Sequence, residues 1–146
     1  MPLKKVAISV AAALLLSQSS VAFEIVEKWQ NAKQERIQTS EYERLSQNVV
    51  SCLKIGICQL CEITHLQEKE RVELKKFLKV ANVAREVALE RIKKNDLACD
   101  KEVLYSVLSF IHIIESVLDS EFLELTGGYK MPSDILEFGK GLYALS

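Results

Sequence analysis

The stretch SCLKIGICQLCE, residues 51–62, places three of the four cysteines and one glycine within twelve residues. Gly56 is the only glycine before Gly127, and glycine is the residue that most often follows the end of a helix. We therefore expect one helix to end at Gly56 and the chain to turn back there. On this interpretation, the covalent state of the cysteines decides how the two halves of the chain are held together.

The first 22 residues have the pattern of an export signal. Two lysines at 4–5 precede an apolar run at 6–16, and Ser20 and Ala22 are the small residues that a signal peptidase recognises. The run is about half of the roughly 20 residues needed to cross a bilayer. We expect cleavage after Ala22, which leaves residues 23–146 as one domain without a stable membrane span. An uncleaved membrane anchor is the alternative.

The composition is typical of an ordered, helical protein, since 49% of the 146 residues are hydrophobic, 27% are charged, and only 2 are proline. Loss of the leader removes two of 19 basic residues and none of 20 acidic residues, which leaves a net charge of −3. No basic cluster is present that could neutralise phosphates, so we expect no nucleic-acid partner. The predicted fold is an all-α, disulfide-stapled bundle of about five or six helices.

The apolar spacing indicates a first helix at residues 23–37 and a second that ends near Gly56. Residues 58–94 contain no proline or glycine, and as one rod they would be about 55 Å long. A compact domain of this size has a radius of gyration of only about 14 Å. Either the molecule is elongated or this helix is broken; we favour a break near residues 67–71.

The most apolar segment of the mature chain is residues 103–125, which keep only a narrow polar strip. Such a helix must be covered on most sides, so we expect it at the centre of the bundle or in a subunit contact. A short last helix follows, in which Asp134 and Glu137 can form a capping box.

The four cysteines, Cys52, Cys58, Cys61 and Cys99, all follow the predicted leader. An even number of cysteines in an exported chain favours disulfides over thiols. We expect two internal bridges, with the connectivity open among three possibilities. A bridge to Cys99 requires the helix break, because bridged Cα atoms lie within about 7 Å.

A thiol-redox or metal-binding protein is the alternative. Cys58 and Cys61 form a CxxC pair, and at a helix start such a pair acquires a lowered thiol pKa. The strand of a thioredoxin-type βαβ unit is not predicted here. Cys58, Cys61 and His65 could also supply three metal ligands, with Cys52 or Cys99 as a fourth, although an oxidising compartment disfavours thiolate ligands.

No catalytic residue and no cofactor is assigned from the sequence. The leading hypothesis is a non-enzymatic binding or assembly protein, periplasmic or secreted, of the bacterial envelope. An accessory subunit of a secretion or conjugation apparatus, a chaperone-like factor and an effector all belong to this class. We expect a protein partner or self-association through an apolar helix face, because residues 103–125 offer more apolar surface than a small bundle can cover.

Overall fold

A computed structural model describes residues 19–32, 37–63, 66–119 and 132–145, and the described part of the chain is all-helical. The five helices are α1 (Ser19–Asn31), α2 (Thr39–Cys61), α3 (Glu68–Lys94), α4 (Ala98–Leu118) and α5 (Ile135–Leu145). The all-α prediction is confirmed for these residues. None of their helices combines the length and the apolar character needed to cross a membrane.

Helix α4 is the central helix, as predicted, and it packs against α2, α3 and α5. Its apolar side chains fill the core, among them Val103, Val107, Ile113 and Ile114, each 0% exposed. Within α4 no large hydrophobic side chain is exposed. The bundle therefore covers the face that we had expected to need a partner; residues 120–125 lie outside the described part.

The expected turn at Gly56 is wrong. Helix α2 runs through Gly56 to Cys61, and Gly56 is buried inside it. A Cβ atom at Gly56 would lie 2.9 Å from Cε1 of Phe110 on α4. The glycine thus permits close contact between α2 and α4, and the absence of a side chain serves packing rather than a change of chain direction.

The helix predicted over residues 58–94 is broken, but earlier than expected. Helix α2 ends at Cys61, and α3 begins at Glu68 after an extended Gln67. The backbone N–H of Gln67 donates a hydrogen bond of 2.9 Å to Oε1 of Glu70. This contact satisfies one donor at the helix start.

Helix α1 includes the predicted cleavage point. It begins at Ser19, so the bond between Ala22 and Phe23 lies within the helix, and the Phe23 ring packs on Phe77 of α3 at 5.2 Å between ring centroids. Cleavage after Ala22 would remove the first four residues of α1. The predicted position of the signal peptide stays a prediction.

The carboxyl end of α1 is held by Arg91 in the last turn of α3. The Arg91 guanidinium donates to the carbonyl oxygens of Trp29, Gln30 and Ala32 at 2.9, 2.7 and 2.9 Å. Its carbon atom also lies 4.6 Å from the centroid of the Trp29 ring. Carbonyls at the end of a helix have no partner within the helix and carry partial negative charge. Arg91 supplies both the missing donors and the opposite charge.

Arg91 is itself positioned by a buried polar pair. It donates to the hydroxyl of Tyr42 at 3.0 Å, and that hydroxyl donates to Oδ1 of the fully buried Asp100 at 2.5 Å. Burial, together with the hydrogen bond to Asp100, raises the pKa of Tyr42 to about 12. Tyr42 therefore keeps its proton and links α2, α3 and α4 in one network.

We predict that Arg91→Met lowers the free energy of unfolding by about 3 kcal/mol, because several partly buried acceptors lose a donor at a cost of about 1–3 kcal/mol each, not additively. Denaturant unfolding followed by circular dichroism measures the change. Lys93→Met is the matched control on the same helix; its side chain is exposed, so the change should stay within about 0.5 kcal/mol. Equal effects of the two substitutions would contradict the assigned role of Arg91.

Helix α5 contacts α4 through Gly139. A Cβ atom there would collide with the backbone carbonyl of Tyr105, whereas a Cβ atom at Gly141 would meet nothing within 4 Å. Asp134 caps the helix, since its Oδ1 accepts from the N–H groups of Leu136 and Glu137 at 3.0 and 3.3 Å. The Glu137 side chain, predicted to complete a capping box, accepts from Lys140 at 3.1 Å. The hydroxyl of Ser109 on α4 adds a 3.0 Å hydrogen bond to the carbonyl of Ile135.

Gly139→Ala is expected to destabilise the fold by about 1–3 kcal/mol, since the backbone of α4 must move to admit the methyl group. Gly141→Ala, two residues later on the same helix, should be neutral or stabilise by up to about 1 kcal/mol through its higher helix propensity. Thermal unfolding of both variants tests this. A stable Gly139→Ala protein would show that α5 does not pack on Tyr105.

Candidate functional site

The structure holds none of the four cysteines in a disulfide, and no pair lies at disulfide distance. The structure therefore does not show the two internal bridges that we expected from the even number of cysteines. Because α2 is continuous, Cys52 and Cys58 are separated by about 9 Å of helix rise. Cys99, at the start of α4, forms a hydrogen bond with Ser46 of α2. Ser46 lies about 9 Å of helix rise before Cys52, so Cys99 contacts a part of α2 that is distant from the other three cysteines.

The CxxC pair lies at the end of a helix, not at its start. Cys61 is the last residue of α2, and Cys58 is one turn earlier. The carboxyl end of a helix carries partial negative charge, which destabilises a thiolate. Burial, with nearby Cys58 and Glu62, raises the pKa of Cys61 to about 11. This arrangement is the reverse of the activated thiol that the redox alternative requires.

The metal-binding alternative also lacks support from the described residues. Among them no three side chains of His, Cys, Asp or Glu are grouped so that they could hold a metal ion. His65, the third candidate ligand, lies outside the described residues. Burial raises the pKa of Cys52 and that of Cys99 as well, so three of the four cysteines are poor sources of thiolate.

We predict that iodoacetamide at pH 7.5 modifies the exposed Cys58 first and Cys61 far more slowly, as measured by peptide mass spectrometry. Since the pKa of Cys61 is raised to about 11, its rate should increase roughly tenfold per pH unit until that pH is approached. Unfolding in urea is the control, because all four thiols then react as ordinary cysteines. Faster reaction of Cys61 in the folded protein than in urea would restore the redox interpretation.

The packing leaves an apolar groove between α1, α2 and α3, with a volume of about 350 Å³. Val107 and Phe110 of α4 form its floor, and Ala81 and Ala84 of α3 form one wall. Ile55 of α2 stands at the mouth with 53% of its surface exposed. The groove is a concave apolar surface in the size range of small-molecule sites.

Among the residues that the structure describes, no charged side chain lines this groove. Its polar groups are uncharged and lie on α2, where Asn48, Ser51 and Gln59 contribute to the lining. Cys52 also lines it, and with its raised pKa the protonated thiol acts as a small apolar group. The lining is therefore suited to apolar groups, and the raised pKa of Cys52 keeps its thiol protonated.

Sequence reasoning missed the groove. The alanines of α3 were visible as part of an apolar seam, but a seam of small residues is as compatible with close helix contact as with open space. Which of the two occurs depends on where α1 lies over α2 and α3. That position depends on contacts between distant residues, such as Phe23 with Phe77 and Arg91 with the end of α1, about 60 positions apart along the chain.

Comparisons with known proteins gave no match to a family model, to a curated protein or to a solved structure. The geometry of the groove and of the cysteines is accordingly the basis for the functional proposal.

Proposed function

We propose that this chain is an exported, non-enzymatic binding protein of the bacterial envelope or the secreted space, and that the groove between α1, α2 and α3 is its binding site. The observation that carries the proposal is the apolar, uncharged lining of the groove. An interior space of this kind favours apolar ligands and disfavours charged ones, which would lose their hydration without gaining a partner.

Export is supported by the sequence pattern of residues 1–22. Cleavage after Ala22 would remove Val21 and Ala22 from one end of the groove and leave Phe23, Ile25 and Val26 of α1 in place. The processed protein would then present a more open groove than the precursor. Mass spectrometry of the exported protein identifies the first residue, with Phe23 expected.

The enzymatic alternative receives less support. A thiol-redox protein needs an accessible cysteine of low pKa, whereas Cys61 is placed where burial and the helix end both oppose ionisation. Cys52 lies in an apolar groove, which also favours the protonated thiol. These features favour a binding role over a catalytic one.

We predict that benzene, a small apolar probe, binds in the groove and shifts amide NMR signals of lining residues such as Val49 and Val107. Dry apolar cavities of proteins take up such molecules. Val80→Phe, at a half-buried lining position, should weaken binding at least about fivefold because the ring takes up part of the space. Val87→Phe is the matched control, since Val87 is half-buried on the same helix but does not line the groove.

Signal changes elsewhere in the bundle, or equal loss of binding in the two variants, would refute the groove as the binding site. The measurement uses the processed protein as isolated after export, so that its N-terminus is the one found by mass spectrometry.

A further inference from the structure

The first half of α3 carries an excess of positive charge. Residues 69–83 contain five of the 19 basic residues of the chain and two of its 20 acidic residues, which gives this segment a net charge of +3. The rest of the chain has 14 basic and 18 acidic residues, a net charge of −4. A chain that is nearly neutral as a whole therefore has one distinctly basic segment.

The helix separates charges that the sequence intersperses. Side chains three, four and seven positions apart lie on the same face of an α-helix. The exposed side chains of residues 69–83 are four lysines and two valines, namely Lys69, Val72, Lys75, Lys76, Lys79 and Val83. Both acidic residues of the segment, Glu70 and Glu73, are half-buried. We call the six exposed residues the basic face.

The two acidic residues already have partners. Oε1 of Glu70 accepts from the backbone N–H of Gln67 at 2.9 Å, and Oε1 of Glu73 accepts from Nζ of Lys76 at 3.1 Å. Among the residues that the structure describes, the other three lysines of the basic face form no ion pair. Their ammonium groups are therefore available to an anionic partner.

The basic face ends within α3. It covers 14 helical steps, a length of about 21 Å. The exposed Glu86 and Glu90 follow three and seven residues after Val83, on the same side of the helix. They balance the charge of the exposed Lys93 and Lys94 in the last turn. The excess positive charge is thus confined to the first half of the helix.

Two valines lie among the lysines. Val72 is 46% exposed and Val83 is 54% exposed, and about 16 Å of helix rise separates them. A partner that offers phosphate groups alone would leave both valines in water. A partner with an apolar layer beneath an anionic surface can contact both valines, while the lysine stems lie along the apolar layer and the ammonium groups stay at the surface.

The negative charge of the rest of the chain does not prevent such contact. At 0.1 M salt the Debye length is about 10 Å, which is close to the distance of about 8–10 Å between packed helices. Charges on the far side of the bundle are therefore largely screened from a surface that touches α3. The charge of the nearest face decides whether the surface attracts the protein.

We propose that the basic face of α3 binds the surface of a membrane that contains anionic phospholipids. The helix lies along the surface, the lysine ammonium groups contact lipid phosphates, and the valines contact the apolar layer beneath the head groups. None of the six residues lines the groove between α1, α2 and α3. The proposal therefore stands independently of whether the groove binds a ligand.

Cosedimentation of the processed protein with lipid vesicles tests the proposal. Vesicles of phosphatidylcholine alone are compared with vesicles that contain about 40% of the anionic lipid phosphatidylglycerol. We expect binding to the anionic vesicles only. Binding should fall at least about tenfold between about 0.1 M and about 1 M salt, because the Debye length shortens from about 10 Å to about 3 Å. Equal binding to both kinds of vesicle, or to neither, would overturn the proposal.

Two pairs of lysines on the same helix give matched variants, all at exposed positions. Lys75→Gln with Lys79→Gln should weaken binding to anionic vesicles about 25-fold, since each lysine near such a surface contributes about fivefold in affinity. Lys93→Gln with Lys94→Gln removes the same charge at least about 21 Å further along α3. This distance is about two Debye lengths, so binding should change less than about twofold. Equal losses in the two variants would contradict the assigned role of the basic face.

The valines distinguish a membrane from other polyanions. Val72→Ser with Val83→Ser should weaken vesicle binding about fivefold, because two apolar side chains lose their contact with the lipid. A DNA oligonucleotide at equal phosphate concentration has no apolar layer and should bind at least about tenfold more weakly than the vesicles. Unchanged vesicle binding by the valine variant, or DNA binding as tight as vesicle binding, would identify a general polyanion surface and overturn the membrane proposal.

Discussion

The contact between Arg91 and the last carbonyls of α1 is the constraint on which the shape of this molecule depends. Helix α1 packs on α2 and, less extensively, on α3, and the Arg91 guanidinium donates to three carbonyl oxygens at its end. Arg91 is aimed by Tyr42, which is in turn fixed by the buried Asp100. The network of Asp100, Tyr42 and Arg91 thereby fixes the carboxyl end of α1. Residues nearer the start of α1 form one side of the apolar groove.

Helix α3 binds the carboxyl end of a neighbouring helix near each of its own two ends. Near its start, Arg71 donates a 2.6 Å hydrogen bond to the carbonyl of Leu118, the last residue of α4. Near its end, Arg91 binds the carbonyls of α1. In each case a guanidinium with several donors meets the negative end of a helix dipole, where donors are missing. Lysine, with a single nitrogen, could not bridge three carbonyls in the same way. The two arginines thus make α3 the element that fixes the ends of its neighbours.

Small residues have opposite effects at different places in this bundle. Gly56 and Gly139 let α2 and α5 approach α4 so closely that a methyl group would meet Phe110 or the backbone of Tyr105. Ala81 and Ala84 line a groove that no side chain of the described residues fills. Helices in close contact gain dispersion energy, whereas the atoms that line the groove lack these contacts. The folded chain therefore tolerates an unfilled apolar space, which is a cost to stability that a ligand could offset.

The sequence by itself determined the all-α class, the central place of the helix Ala98–Leu118, the cap at Asp134 and the existence of a break before α3. These features follow from local hydrogen bonding and from the period of the apolar residues. Only the tertiary structure decided that Gly56 lies within a helix, that the cysteines stay apart and that a groove remains beside α1. Each of these depends on contacts between residues distant in sequence, such as Gly56 with Phe110 and Arg91 with α1. A glycine has the same local preference whether it ends a helix or admits a neighbouring ring, and the packing partner alone selects between the two.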